Sequence, residues 1–300
     1  MASGTTRASA DLAAFLARGK QRVDEALAAS LPPPSTRPAA LHEALRYTLL
    51  LPGKRLRGIL VLACADLLRG DEEAVLPLAC AVEMVHASSL ILDDLPSMDD
   101  ATLRRGKPVL HRVVGEANAI LAAVALLNLA FARVAEAETL RERIRREAAL
   151  CLTRAIGAEG LIGGQVADLD ATGTKLDLDA LEYVHSHKTG ALFQAAAELG
   201  ALAAGGRERD LEALRRYAKN LGLAFQITDD LLDYSGNPGI TGKDAGLDRN
   251  KTTFVSLCGI EGARQLVDDL IAAATASLAP FGRKAGRLAA LAEMVRERDR

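Results

Sequence analysis

Apolar positions recur along this chain at three- and four-residue intervals, the spacing that gathers them on one face of a helix. Leu12, Phe15, Leu16, Val23 and Leu27 form the first such stripe, which stops before Pro32-Pro33-Pro34. The pattern predicts further helices over 39–50, 54–68, 73–92, 116–137 and 142–156. It then predicts helices from 180 to 202, interrupted around Lys188-Thr189-Gly190, and over 207–234, 259–278 and 282–296. Pro52-Gly53 and Gly70-Asp71 read as breaks. Gly157, Gly160, Gly163 and Gly164 punctuate the stretch before Gln165 and Asp168, a density that permits close packing or backbone approach to a ligand. Asp177-Leu178-Asp179 offers a cap for the helix near Ala180. Residues 1–8 are small and polar and are expected to be disordered; 235–249, rich in Gly and Pro, reads as a mobile polar loop. No segment alternates with period two and no strand–helix repetition occurs, so the expected fold class is all-α. The Pro-rich linker is short, so 1–300 is read as one domain with 9–34 as an N-terminal helical arm and linker.

Composition narrows the function classes. The chain has 300 residues, 49% hydrophobic, enough for a sizeable core. A net charge of −2, no Trp and 3% aromatics give neither an electrostatic nor a stacking platform for nucleic acid. Cys64, Cys80, Cys151 and Cys258 are widely spaced without a C-x-x-C, the usage expected of reduced thiols in a cytoplasmic protein. The N-terminus has no long apolar run, and the longest apolar stretch, Ala119 to Ala132, includes Asn128 and is too short to span a bilayer, so no transmembrane segment is expected.

The chemistry concentrates in two places. Asp93-Asp94-Leu95-Pro96-Ser97-Met98-Asp99-Asp100 follows the apolar run Leu90-Ile91-Leu92 and precedes Arg104, Arg105, Lys107 and Arg112. Carboxylates at this density repel unless cations hold them. Oxygen-only donors suit Mg²⁺, and Arg and Lys grip phosphates that such an ion leaves free. Asp93 and Asp99 are six positions apart and Pro96 intervenes, so the chain must bulge to bring them together. Far downstream, Gln226, Asp229, Asp230 and Asp233 fall at i, i+3, i+4 and i+7, one helix face. Two such patches facing across a cavity would hold several Mg²⁺ ions and a diphosphate between them.

The pair Asp-Asp-x4-Asp and Asp-Asp-x2-Asp resembles the two aspartate-rich motifs of trans-isoprenyl diphosphate synthases, the polyprenyl synthetases. Leu51-Pro52-Gly53-Lys54-Arg55-Leu56-Arg57, Leu103-Arg104-Arg105-Gly106-Lys107-Pro108, His187-Lys188-Thr189-Gly190 and Phe225-Gln226 match family motifs in order and spacing. The resemblance runs from about residue 40 nearly to the end and is nearest to the bacterial geranylgeranyl diphosphate synthases of the carotenoid pathway. It implies an isoprenoid synthase helical bundle around a central cavity, a homodimer, and Mg²⁺-dependent condensation of isopentenyl diphosphate with an allylic diphosphate (dimethylallyl, geranyl or farnesyl). No enzyme nucleophile is needed for that reaction, so leaving-group stabilisation, orientation and water exclusion carry the catalysis.

The resemblance also distributes roles. It implies that Asp93, Asp94, Asp99 and Asp229 ligate Mg²⁺, with Asp230 and Asp233 in support. Arg104, Lys188, Lys243 and Lys251 would clamp the allylic diphosphate; Lys54, Arg57, His86 and Arg105 would take isopentenyl diphosphate. Lys188, Thr189 and Gln226 would act at the reacting centre. Ser88 and Ser89, about one turn before Asp93, would gauge product length: farnesyl-producing relatives usually carry a bulky aromatic at Ser88, and a small residue leaves room for a C20 product. Leu92 stands where farnesyl-type relatives often have His, and Gly58 where Pro is common. Taken alone, each cation is equally a solvated surface charge, and His86 equally a core histidine. Rival readings are a farnesyl diphosphate synthase, a class I terpene cyclase (whose second motif normally uses Asn, Ser and Glu), a non-catalytic synthase subunit, and a di-iron bundle built on Glu83-x-x-His86 and Glu182-x-x-His185.

Overall fold

A computed structural model describes residues 2–234 and 251–299. The elements are α1 (Ala2–Ser30), α2 (Ala39–Leu49), α3 (Leu56–Leu67), α4 (Glu72–Asp93), α5 (Leu110–Val114), α6 (Glu116–Ala135), α7 (Glu142–Ile156) and α8 (Leu161–Asp170). They continue with α9 (Leu178–His185), a π turn (Ser186–Gly190), α10 (Ala191–Ala203), α11 (Glu208–Tyr234), α12 (Phe254–Ser277) and α13 (Gly286–Arg296). Short 3₁₀ segments at Ala279–Ala285 and Glu297–Asp299 flank α13. Local chemistry sets several boundaries. Asp71 caps α4 by accepting from Glu73 N, with Glu72 and Glu73 in the first turn where the helix dipole favours them. Asp177 caps α9 by accepting from Ala180 N, and Thr253 with Ser256 forms a capping box on α12.

The packing order is α6 on α4, α4 on α3, α3 on α10, α10 on α11 and α11 on α12, with α7 against α10. Leu60 and Val61 of α3, Leu78 and Met84 of α4, Phe193 of α10 and Leu221 of α11 are all fully buried. Tyr217 is buried too, and its hydroxyl donates to Leu288 O at 2.7 Å, tying α11 to α13 without leaving a stranded polar group. The C-terminal ends of α4 and α11 and the N-terminal ends of α3 and α10 carry the motif residues.

The all-α class holds, with differences in detail. The helix of residue 2 onward replaces the disorder expected over 1–8. α5 and α8 stand where no helix was expected; α5 is one short turn, and packing overrides the two glycines inside α8. Leu103–Arg104 and Lys107–Pro108 form a two-stranded antiparallel hairpin, too short for a period-two signal; its turn residues Arg105 and Gly106 both have positive φ. The break at Lys188-Thr189-Gly190 is instead a widened turn that joins α9 to α10. Residues 235–249, expected to form a loop, lie outside the described residues. α4 and α6 are long and apolar enough to cross a membrane by length and composition, contrary to the expectation from the uninterrupted run alone. The α4 window is 72% buried within the protein and that of α6 only 33%. Ile120, Leu121 and Val124 of α6 point outward.

Candidate active site

The first acidic motif begins at the last residue of α4. After the turn at Pro96 the chain folds back, and Asp99 N donates to Asp93 O at 3.0 Å. The bulge inferred from spacing is therefore present. It turns Asp94 inward, 4% exposed, where the hairpin residue Arg104 donates from Nε to both carboxylate oxygens (2.9 and 2.8 Å) and from Nη2 at 2.5 Å. Burial raises the Asp94 carboxyl and Arg104 opposes that rise. The residue expected to ligate metal and the residue expected to clamp phosphate are here committed to each other, which fixes the hairpin to the motif.

Asp93 and Asp99 face a different set of partners. Lys188 Nζ donates to Asp93 Oδ1 (3.2 Å) and Asp168 Oδ2 (2.8 Å), and Lys251 Nζ donates to Asp99 Oδ1 and Asp168 Oδ2, each at 3.0 Å. Gln165 Nε2 donates to Asp93 Oδ1 at 2.8 Å. Burial opposes charge on Asp168, but the two ammonium groups outweigh it and hold its carboxyl below the usual range. For Lys188 and Lys251, burial is likewise outweighed by the carboxylates, and both ammonium groups are held above their ordinary value. Asp168 and Gln165, three residues apart on α8, were not among the expected site residues. Their one signal was the glycine run before them. A Cβ on Gly164 would lie 2.1 Å from Lys188 N, so only Gly lets α8 press against the π turn that presents Lys188.

The π turn leads on to the second motif. Thr189 Oγ1 donates to Gln226 Oε1 (3.2 Å), Gln226 Nε2 to Asp230 Oδ1 (3.1 Å), and Phe254 N to Asp230 Oδ2 (3.0 Å). Asp233 lies one turn further along α11, exposed. Asp229 pairs with Arg298 at 2.9 Å, and the Arg298 guanidinium sits 4.3 Å from the Phe225 ring centroid. Arg298 was also not expected; a single Arg near the C-terminus carries no local pattern.

The expected isopentenyl diphosphate residues meet beside this wall. Arg57 Nη1 approaches His86 Nε2 at 3.4 Å and its guanidinium lies 4.6 Å from the Phe193 ring centroid. Burial pushes Arg57 down to about 10, with Glu83 and Asp229 opposing and Arg105 adding to the shift. Burial, then Arg298, lowers Lys54, while Asp229 opposes. His86 is held well below 6.5 by burial and by Arg57, Arg105 and Arg104, so it is a neutral acceptor for Arg57. Ser88 is buried and donates to Ala123 O of α6 at 2.9 Å, and Ser89 donates to His86 O at 2.9 Å. The cleft beside α4 is lined by His86, Ala87, Leu90 and Ile91, together with Tyr47 and Leu51. Lys243 lies outside the described residues.

The donor set fits a hard cation. Asp93, Asp99 and Asp229 offer oxygen alone, and Lys188, Lys251 and Arg298 now hold those oxygens. Among the described residues no three His, Cys, Asp or Glu side chains close on one point, so the chain supplies a partial shell. Mg²⁺ typically binds in this way, completing its octahedron with water and phosphate oxygens. Glu83 and His86, half of the di-iron alternative, are engaged with Gly58 and Arg57.

The polyprenyl synthetase family model matches residues 38–280. The chain belongs to that family. Geranylgeranyl pyrophosphate synthase 11, chloroplastic, of Arabidopsis thaliana is 45% identical over 294 residues, covering 95% of this chain and 82% of its own. The chloroplastic geranylgeranyl pyrophosphate synthase of Capsicum annuum is 44% identical, covering 87% and 72%. Among solved structures, an FPP/GFPP synthase from Zymomonas mobilis superposes with a TM-score of 0.87 at 37% identity, covering 95% of this chain and 99% of that one. A geranyltransferase from Legionella pneumophila gives 0.84 at 31%, covering 99% and 98%. This polyprenyl synthetase is a prenyl-transferring enzyme whose family is generally Mg²⁺-dependent.

The neutral His86 makes a prediction with a definite sign. The folded state excludes a proton that the unfolded chain binds near pH 6.5, so stability is full above that pH and falls as pH drops below it. In urea melts from pH 7.5 to 5.5, wild type should lose on the order of 1 kcal/mol more than His86→Gln. Equal losses would contradict a neutral His86.

Proposed function

We propose that this enzyme condenses isopentenyl diphosphate with allylic diphosphates, up to farnesyl diphosphate, to geranylgeranyl diphosphate, releasing diphosphate. The observation that carries the reading is the run of contacts between the two acidic motifs, from Asp93 through Lys188 and Thr189 to Gln226 and Asp230. The names of the plant relatives support the C20 product, whereas the Zymomonas mobilis relative is named an FPP/GFPP synthase.

Asp93, Asp99 and Asp229 would hold Mg²⁺, which when bound neutralises and orients the departing diphosphate. Lys188 and Lys251 grip the allylic diphosphate by turning from the carboxylates to phosphate oxygens, and Lys243 joins them there. Arg104 acts through Asp94, holding the motif loop in place. Lys54, Arg57 and Arg105 bind isopentenyl diphosphate, and neutral His86 orients Arg57. The oxygens of Thr189 and Gln226 face the allylic carbons as the C–O bond breaks and positive charge develops. The alkene then attacks, a C–C bond forms, and a proton leaves. Asp230 and Asp233 support Asp229 on the second wall.

A homodimer is part of this proposal. The outward apolar face of α6 needs cover, and a relative named as the large subunit of a heterodimeric geranylgeranyl pyrophosphate synthase, 42% identical, assembles with a partner. Sedimentation should give twice the chain mass; a monomer at micromolar concentration would remove the dimer.

Purified protein with isopentenyl diphosphate, Mg²⁺ and each allylic primer should yield mainly C20 diphosphate. A mainly C15 product would favour the farnesyl alternative, and no condensation would overturn the reading. Asp93→Ala should lower kcat at least about a hundredfold with the fold intact by circular dichroism; near-wild-type turnover would sink its assignment. Ser88→Tyr should shift the product from C20 to C15 by filling the wall of α4; an unchanged product spectrum would remove Ser88 as the gauge.

A further inference from the structure

The loop that presents Lys54 and Arg57 has one residue turned the other way. Arg55 lies between them with a side chain 4% exposed and a left-handed backbone, φ 51°. Its Nη2 donates to Leu49 O (2.8 Å) and Leu51 O (3.0 Å) at the end of α2. Its Nε donates to Asp24 Oδ1 of α1 at 2.6 Å, and its Nη1 lies 3.8 Å from Glu83 Oε2 of α4. Glu83 is 3% exposed, and its other oxygen accepts from Gly58 N of α3 at 2.9 Å. The fit is close: a Cβ on Gly58 would lie 3.1 Å from Glu83 Cγ. Proline at this position would lack the N–H that Glu83 uses, a reason for glycine where relatives often carry proline.

One guanidinium therefore joins α1, the end of α2 and α4, and Glu83 extends the link to α3. A non-glycine residue with left-handed backbone and a buried arginine both carry a cost, and both persist where surrounding contacts over-determine them. Glu83 also faces the neighbouring cations: it opposes the loss of charge that burial and repulsion impose on Arg57 and Arg105. Burial lowers Arg105, with Arg55 adding to the shift.

We propose that Arg55 and Glu83 are positioning residues for isopentenyl diphosphate: the buried pair fixes the loop so that Lys54 and Arg57 converge on one diphosphate, and the Glu83 charge lets Arg57 and Arg105 crowd there. Neither side chain touches the substrate. The inference rests on the proposed reaction.

Arg55→Lys keeps the charge but cannot span the four acceptors. It should raise the KM for isopentenyl diphosphate about tenfold while kcat and the allylic KM stay within about threefold. Glu83→Gln should do the same. Asp24→Asn weakens the part-exposed pairings with Arg55 and Lys20 and should fold even where the other variants do not; a rise of about threefold in the same KM is expected. A merely structural role would lower kcat and weaken both substrates with the folded fraction, and either of those patterns would overturn the proposal. Calorimetric titration with isopentenyl diphosphate alone reads the site without turnover. Weaker binding in the variants supports the inference; unchanged affinity, or no binding by wild type, overturns it. Binding by wild type without condensation would overturn the proposed reaction and leave the positioning role standing.

Discussion

Everything at the working end of this bundle depends on holding carboxylates close together in a half-buried site. Asp93, Asp99 and Asp168 come from two separate elements, and they repel at the distances imposed on them. Two lysines resolve this, with Asp168 accepting from both and each lysine also reaching one motif aspartate. Such an arrangement is stable as it stands and also exchangeable. The ammonium groups that balance the aspartates are the ones that would bind phosphate once metal ions take over that task. Asp94 and Arg104 form a different kind of pair. They are buried and linked by several bonds, so breaking the pair would leave a stranded charge. The first pairings suit ligand exchange; the second suits a fixed frame.

The frame extends outward by the same logic. The π turn presents Lys188 toward the first acidic wall and Thr189 toward the second, and Gly164 allows α8 to back it closely. On the opposite side, Arg55 turns to Asp24, Leu49 and Glu83 while Arg57 turns to His86 and Phe193. Alternation between a buried anchor and a more exposed neighbour thus recurs at both ends of the site: Asp94 beside Asp93, and Arg55 beside Lys54.

The helical order was legible because apolar spacing is a local signal and most helices here bury one face. What escaped was set by contacts distant in sequence. The glycines of α8 argue against a helix until packing against the π turn is known. The hairpin at Leu103–Pro108 has two residues per strand, too few to alternate. The two acidic motifs were legible because each packs its chemistry into a few residues. Asp168, Gln165 and Arg298 were not, since each is an ordinary polar residue that acquires its partner only through the fold. The spacing argument that Asp99 returns beside Asp93 needed only the geometry of a helix and one proline, and the hydrogen bond between them bears it out.

Two acidic walls in this arrangement serve one diphosphate in the proposed reaction. A crystal structure with Mg²⁺ and an unreactive allylic thiolodiphosphate tests it most directly. The expected result is metal density against both Asp93 and Asp229, a diphosphate between them, and the Lys188 and Lys251 ammonium groups on its oxygens. A diphosphate bound away from one wall, with Arg298 still paired to Asp229 and no metal there, would contradict it.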